Sequence, residues 1–337
     1  MKLHLRKTLL TLALSSVLTT IQATEDTSLS ESLLNHVILP DIELTEKAVT
    51  TLQEKISEAK TERSKAIDKA FSDLVGAWKM VQTTYIIGEV DSDMIDTPQL
   101  MDTYHQGNED LGQQIKRALN SGDKPKIALF KNSFKSINAL AIILYTDNAL
   151  SEAEKDYAGY ILTTLENHLQ DIKRAYTGKL NLLKEDQDKS MSYILNALID
   201  SAYKLKEWRI GEPAGLSKKY KNAPDGRRQE YPRSHNSLTA ALAIISAHED
   251  VMGERPFENL GSVAQKQGAK QQVTAIRGII ADAKSQLNQL KNDNVTDFTD
   301  TRFKTLFKTL DKLNDAYYQS LVRALPVQAK ILEADGD

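Results

Sequence analysis

Residues 248 and 249 read His-Glu within a helix-like segment, which is how the zinc-binding pattern of many metalloproteases begins. That pattern needs a second histidine four positions after the first, so that both imidazoles face one metal while the glutamate acts on the bound water. Position 252 is methionine, so the second ligand is missing. The sequence therefore predicts that His248 lies at the surface end of a helix near Gly253, where a cation suits the helix dipole.

No other stretch carries a complete catalytic pattern. A di-iron bundle would need Glu and His three positions apart on facing helices, but Glu166 and His168 are two apart. His168 is predicted to be a core or interface residue, whereas His36 and His105 stand alone near element ends and are predicted to be structural or exposed. The chain has no cysteine, no glycine-rich phosphate loop and no G-x-S-x-G elbow. Thiolate metal sites and cysteine nucleophiles are thereby excluded.

A basic segment over residues 209–233 is the longest stretch without a helical pattern. Beyond Arg209 at its start, its cations are Lys218, Lys219, Lys221, Arg227, Arg228 and Arg233. Long loops of this kind often have a functional role, and arginine forks bind carboxylates and other anions, although a solvated loop is the favoured interpretation of the lysines. Arg233 directly precedes a helix start, where backbone N–H groups and the hydroxyls of Ser234 and Ser237 could converge on an anion. For each serine, a helix N-cap is the alternative interpretation, with Asn236 as another candidate for the cap, and for Glu230 the alternative is a salt bridge to a neighbouring arginine.

The first 23 residues have the features of a cleavable signal peptide. Lys2, Arg6 and Lys7 precede an apolar core that is too short to span a bilayer, and Ala23 offers a small residue for cleavage. Cleavage removes three basic and no acidic residues, which lowers the formal net charge from −3 to −6 and disfavours nucleic acid as a partner. No later segment reads as membrane-spanning. We therefore expect a periplasmic protein, with full secretion as the alternative.

The rest of the chain reads as helical throughout. Apolar residues recur at helical spacing on one face from Pro40 onwards: Val49, Leu52, Ile56, Ile67, Phe71, Leu74, Val75, Trp78 and Val81. A second helix is predicted from about residue 126 to residue 145, and it contains the apolar run SINALAIILY (136–145). The prediction is an all-α protein of two tandem four-helix-bundle-like domains, 24–180 and 181–337, with a cleft between them.

Two segments of the second half give the chain a resemblance to the imelysin family, the M75-type peptidases. RIGEPAGL (209–216) resembles the Gly-x-Pro-x-Gly segment of that family, and EYPRSHNSL (230–238) resembles its E-x-x-x-S-x-x-S-L segment. In the first half, AWKMVQTTYIIG (77–88) is similar to the tryptophan-containing helix of the family. The resemblance covers nearly the whole chain after the signal peptide. It implies two helical bundles with a functional cleft between them, in envelope proteins associated with iron uptake.

The family's G-x-H-x-x-E motif is degenerate in this chain. The matching segment is SINALA (136–141), so Ser136 replaces the glycine, Asn138 the histidine and Ala141 the glutamate. A histidine and a glutamate three positions apart would share one helical face and form half of a metal site. Asparagine is a poor ligand for transition metals and alanine is none, so no metal or catalytic centre of the family type is expected here. The family's peptidase activity is therefore not supported.

Three hypotheses of function follow. The first is a non-enzymatic binding or accessory protein of iron uptake, whose cleft is lined by Asn138 on one side and Glu230, Arg233, Ser234 and Ser237 on the other. The second is a metal-dependent hydrolase with relocated ligands, for instance Glu230, His235 or His168. The third is an envelope protein that docks a partner through an exposed apolar patch. The residues indicate no cofactor, and iron enters only through the resemblance.

Overall fold

The computed structural model describes residues 28–105 and 110–330. These residues form helices joined by short turns, and the only β-type contact among them is an isolated bridge between Glu62 and Ala149. The predicted all-α fold is thus confirmed. The signal peptide predicted over residues 1–23 lies outside the described residues. Within the described residues, no helix is long and apolar enough to cross a membrane.

The first half of the chain contributes eight α-helices to this description. They are α1 (Leu29–Leu33), α2 (Leu39–Glu58), α3 (Lys65–Thr83), α4 (Thr97–Met101), α5 (Leu111–Asn120), α6 (Pro125–Ala128), α7 (Ile137–Tyr145) and α8 (Glu152–Glu185). The apolar stripe from Val49 to Val81 is buried as predicted, but it spans two helices. Ser64 starts the second of them, because its Oγ accepts a hydrogen bond from the N–H of Ile67.

The single helix predicted over residues 126–145 is wrong. The chain there forms α6, a 3₁₀ turn (Asn132–Lys135) and then α7. The last break lies at Ser136, whose backbone is extended and whose Oγ accepts from the N–H of Ala139 over 3.3 Å. Serine competes for backbone hydrogen bonds in this way, so it begins a helix more readily than it continues one.

The second half contributes six α-helices. They are α9 (Gln187–Lys204), α10 (Glu212–Ala214), α11 (Ser237–Met252), α12 (Leu260–Lys266), α13 (Lys270–Asn292) and α14 (Thr301–Asp315). A π-helix (Leu205–Gly211) continues α9 into α10, so the irregular segment predicted from residue 209 begins only after α10. Gly215 ends α10 with a φ of +66°, and a Cβ there would lie 2.6 Å from the nitrogen of Pro224. Only glycine can hold this turn against the loop.

The centre of the molecule is the packing of α3 on α2 and α11, with α11 also packed on α13. The buried apolar residues form one cluster that runs from Leu29 to Leu325 and includes residues of both halves. Trp78 and Phe71 of α3 are fully buried within it. The helices that carry the polar site described below are thus fixed by one shared core. The division into domains at residues 180 and 181 stays a prediction.

Candidate functional site

A network of four charged side chains is buried where the two halves of the chain meet. Lys79 Nζ of α3 lies 2.6 Å from Asp102 Oδ2 and 2.6 Å from Glu230 Oε1. Arg209 of the π-helix donates from Nε and Nη2 to the two oxygens of Glu230, over 2.8 and 3.1 Å. The two cations balance the two carboxylates, which is the condition for burying such charges.

Two tyrosines complete the network. The hydroxyl of Tyr231 donates to Asp102 Oδ2 over 2.6 Å, and the N–H of Tyr104 donates to Asp102 Oδ1 over 2.9 Å. Burial alone would raise the pKa of Asp102, but the Lys79 ammonium and these hydrogen bonds hold it below its usual value. Burial, and then the charge of Asp102, raises the pKa of Tyr231 well above its usual range. Asp102 is therefore ionised and Tyr231 is a neutral donor at neutral pH.

A cleft of about 240 Å³ opens beside this network. It is lined by Gln82, Thr83, Tyr85, Ile95, Pro98, Gln99, Asp102, Tyr104, Ala197, Asp200, Ser201, Lys204, Trp208, Arg209 and Ile244. An outer pocket of about 570 Å³ shares six of these residues. The two pockets form one groove between α3 and the residues after it on one side and α9 on the other. The lining is mixed, with amides, hydroxyls and one ion pair between Lys204 and Asp200.

Arg209 is a charged group of the cleft lining whose hydrogen-bond donors are only partly used. Its bonds to Glu230 use Nε and Nη2, and Nη1 donates no hydrogen bond to any residue of the described chain. Burial lowers the pKa of Arg209, but the Glu230 carboxylate outweighs this and leaves a net upward shift. The guanidinium is thus permanently charged and fixed in orientation, with one edge left for an anionic or carbonyl oxygen.

The five residues predicted to bind a ligand are divided between this network and its surroundings. Glu230 lies within the network and is only 5% exposed, and its bonds to an arginine agree with the salt bridge considered above. Arg233 is exposed, and the buried Oγ of Ser234 has no hydrogen-bond partner in the described structure. Ser237 Oγ donates to Gln229 Oε1 over 3.1 Å. None of the five lines the 240 Å³ cleft, so their contact with a ligand stays a prediction.

The N-cap interpretation of the two serines is wrong. The N-cap position of α11 belongs to Asn236, and the Asn236 side chain makes no capping hydrogen bond. The chain instead turns through His235, whose φ of +55° is left-handed, before the helix begins. Ser237 is already the first residue of the helix, and its hydroxyl accepts a hydrogen bond from the N–H of Tyr231 in the preceding loop.

Asn138 holds the segment that carries Asp102. Its Oδ1 accepts from the N–H of Thr103 over 2.7 Å and from the Thr103 hydroxyl over 3.1 Å. Ala141 is buried on the same helix, and Ser136 caps it. Ser136 and Asn138 therefore accept hydrogen bonds from backbone N–H groups, while Ala141 packs in the core, and Asn138 positions the chain next to Asp102 and Tyr104.

Two histidines differ from their predicted environments. His248, expected at a surface helix end, is fully buried: Nδ1 lies 3.0 Å from the Tyr317 hydroxyl and Nε2 lies 3.2 Å from Ser201 Oγ. Burial lowers its pKa to about 3, so it is neutral at physiological pH. His105, expected to stand alone, stacks on Trp208 with 4.3 Å between ring centroids, and its Nε2 lies 3.0 Å from Glu212 Oε2. The prediction for His248 is wrong, whereas His105 is structural as predicted but has partners, and in both cases these partners come from distant parts of the chain.

The hypothesis of a metal-dependent hydrolase requires that Glu230, His235 or His168 be available as metal ligands. Both oxygens of Glu230 contact Lys79 or Arg209, His235 is exposed, and His168 is half-buried on α8, with its pKa lowered mainly by burial. Within residues 28–105 and 110–330, no group of three or more His, Asp or Glu side chains is arranged to hold a metal ion.

The sequence comparison decides the family. The profile of the imelysin family, peptidase M75, matches residues 41–320. The chain belongs to the imelysin family. The resemblance drawn from RIGEPAGL, EYPRSHNSL and the tryptophan helix is thereby confirmed. Among curated proteins, no significant match to the sequence is found.

Two solved structures share the imelysin fold with this chain. An imelysin-like protein from Psychrobacter arcticum superimposes with a TM-score of 0.72 at 14% identity, covering 90% of this chain and 96% of the other. A protein of Parabacteroides distasonis, assigned as an iron-regulated protein A precursor, superimposes with a TM-score of 0.69 at 13% identity, covering 89% and 94%. At these identities the likeness establishes the fold alone.

Proposed function

We propose that this imelysin-family protein is an exported, non-enzymatic binding protein of the cell envelope that serves iron acquisition. Its ligand is an anionic iron complex with carboxylate groups, and the cleft beside Arg209 receives it. The observation that carries the proposal is the guanidinium of Arg209, which lines the cleft, is oriented by Glu230 through Nε and Nη2, and keeps Nη1 without a hydrogen bond to any residue that the structure describes. Export rests on the signal-peptide pattern of residues 1–23.

The cleft supplies further polar groups of the right kind for such a ligand. Lys204 adds a second cation, while Gln82, Gln99 and Ser201 add donors along the wall. Trp208 provides a flat apolar surface among them. Small-molecule sites combine a few oriented polar groups with apolar lining in this way, and an arginine matches the geometry of a carboxylate.

Iron enters the proposal through the family and one structural relative. The Parabacteroides distasonis protein is assigned as iron-regulated, and it shares the fold over most of both chains. An arginine does not bind a metal ion, because guanidinium has donors only. A cleft centred on Arg209 would therefore recognise iron through the anionic oxygens of the molecule that chelates it.

The residues selected from the sequence take supporting roles in this proposal. Glu230 orients Arg209, and Asn138 holds the segment of Asp102 and Tyr104 at the base of the cleft. Arg233, Ser234 and Ser237 stay predicted ligand contacts at the start of α11. Substitution of Arg233 by Gln, beside the variants below, separates the two possible binding positions.

Substitution of Arg209 by Gln is expected to weaken the binding of ferric citrate by about 10- to 100-fold, because a charge-assisted hydrogen bond is lost. The measurement is isothermal titration of residues 24–337 with ferric citrate. The matched control is Arg227→Gln, since Arg227 is a 90% exposed arginine that pairs with Asp225 outside the cleft.

The variant Gln99→Trp tests ligand binding in the cleft without changing any residue of the buried charge network. Gln99 is exposed on α4 and lines the cleft, so a bulky ring there should block the ligand without disturbing Glu230. Equal binding by wild type, Arg209→Gln and Gln99→Trp would reject the cleft as the site, and a loss confined to Arg233→Gln would move it to the start of α11.

A further inference from the structure

Two apolar side chains protrude from the surface between α5 and α7. Ile127 is 63% exposed and Phe130 is 71% exposed, more than any other large apolar side chain in the described structure. Between them, Ala128 and Leu129 are buried, so the segment is anchored to the core while its two outer side chains point away from it. Neighbouring apolar side chains that are exposed to this degree are typical of a surface that binds a partner.

The segment behind these side chains is held in place. The hydroxyl of Tyr157 on α8 lies 2.8 Å from the carbonyl of Ala118 and 2.9 Å from the carbonyl of Asp123, which fixes the turn before α6. The ring of Phe130 packs edge-on against Phe134, with 5.5 Å between centroids. Ile127 and Phe130 are therefore presented by an ordered segment.

The same region is strongly basic. Residues 116–135 contain six basic side chains and one acidic side chain, a formal net charge of +5 in a chain whose overall charge is −3. The basic residues are Lys116, Arg117, Lys124, Lys126, Lys131 and Lys135. Lys124 and Lys126, which directly precede Ile127 in the chain, are exposed and form no salt bridge with any residue that the structure describes. The positive charge beside Ile127 thus faces solvent.

We infer that this surface, which we name the 116–135 patch, binds the interface of an anionic phospholipid bilayer. Ile127 and Phe130 insert among the acyl chains near the headgroups, and the surrounding lysines contact the headgroup phosphates. Aromatic and aliphatic tips framed by lysine are the pattern of peripheral membrane binding, because lysine stems lie along the apolar region while their ammonium groups reach the phosphates.

The composition favours a lipid surface over a protein partner. Protein–protein interfaces are depleted in lysine, whereas the patch has five lysines and one arginine. An anionic bilayer suits this excess, since each basic residue near its surface strengthens partitioning by about fivefold. Binding at the patch is separate from ligand binding in the cleft, because none of the patch residues lines the cleft.

Co-sedimentation of residues 24–337 with vesicles tests the patch. Vesicles of phosphatidylglycerol and phosphatidylethanolamine should retain the protein, vesicles of phosphatidylcholine should not, and added salt should release it. The double variant Ile127→Ser/Phe130→Ser should lower partitioning by at least tenfold. Its matched control is Leu44→Ser/Leu182→Ser, which removes two apolar side chains that are 49% and 45% exposed elsewhere on the surface.

A second variant separates charge from apolar insertion. Lys124→Glu/Lys126→Glu keeps both apolar tips and should also lower partitioning by tenfold or more, because it reverses two of the charges beside Ile127. Retention of the protein on phosphatidylglycerol vesicles by all variants alike would overturn the inference. Absence of wild-type binding to these vesicles would overturn it too.

Discussion

Substitution of Lys79 by Met is expected to lower the free energy of unfolding by about 3–5 kcal/mol, because it leaves buried carboxylates without their shared cation. Lys79 is fully buried and lies 2.6 Å from both Asp102 and Glu230, whereas Arg209 forms a salt bridge with Glu230 and none with Asp102. Asp102 would keep the hydroxyl of Tyr231 but no opposite charge. Urea unfolding of the purified protein, monitored by circular dichroism, measures the loss.

Lys69→Met is the matched control for Lys79→Met. Lys69 lies on the same helix and pairs with Asp73 over 2.6 Å, but both side chains are more than half exposed. Exposed pairs of this kind contribute at most about 1 kcal/mol. The double variant Lys79→Met/Asp102→Asn should recover part of the stability, because it removes the unpaired charge. Equal losses for Lys79→Met and Lys69→Met would show that the buried network does not need its lysine.

Substitution of Asp41 by Asn is expected to stabilise the protein at pH 8 by about 1–3 kcal/mol. Asp41 is buried in the first turn of α2, and its Oδ2 has no hydrogen-bond partner in the described structure. Burial, and secondly the charge of Asp250, raises the pKa of Asp41 to about 7. An asparagine of nearly the same shape removes the cost of ionising this group.

The sign of the Asp41 effect follows from proton linkage. The unfolded chain releases the proton near the ordinary pKa of 3.8, while the folded chain retains it until about pH 7. Stability is therefore lost as the pH rises between these values, by up to about 4 kcal/mol, and the loss is complete above pH 7. Urea unfolding at pH 8 and pH 4 should show that the advantage of Asp41→Asn disappears at the lower pH. Asp282→Asn, at an exposed position of α13, is the control. An equal advantage at both pH values would contradict this linkage.

The sequence predicted which face of a helix is buried better than it predicted which distant residues a buried side chain contacts. The stripe from Val49 to Val81 is buried as its spacing required, because helical periodicity alone decides which side of α2 and α3 turns inward. A lysine within the apolar face of α3, such as Lys79, is a sequence signal of a buried ion pair, but it does not identify the partners. Its partners Asp102 and Glu230 lie 23 and 151 positions away, and no local pattern specifies such a pairing.

The histidines illustrate the same limit. His248 lies on α11, but its environment is made by Ser201 of α9 and Tyr317, from the π-helix after α14. His105 acquires its role from Trp208 and Glu212, more than a hundred positions later. The break before α7 is different, since Ser136 is a local capping signal that the apolar run concealed.

Asn138 connects the family motif to the site. In this chain the amide holds the backbone of Thr103 and thereby the position of Asp102 and Tyr104. The asparagine accepts these hydrogen bonds from Thr103 and needs no metal to do so. The motif position therefore fixes the backbone segment that carries two residues of the cleft lining. The sequence predicted that Asn138 keeps only hydrogen bonding, but the partner could be identified only once the segment after α4 was placed against α7.

The most direct test of an anionic iron ligand beside Arg209 is an anomalous diffraction experiment at the iron absorption edge. Crystals of residues 24–337 grown with ferric citrate are predicted to show one iron peak in the cleft between α3 and α9, with a citrate carboxylate against Arg209 Nη1. An iron peak coordinated by Glu230, His235 or His168, or crystals without iron in the cleft, would contradict the proposed function.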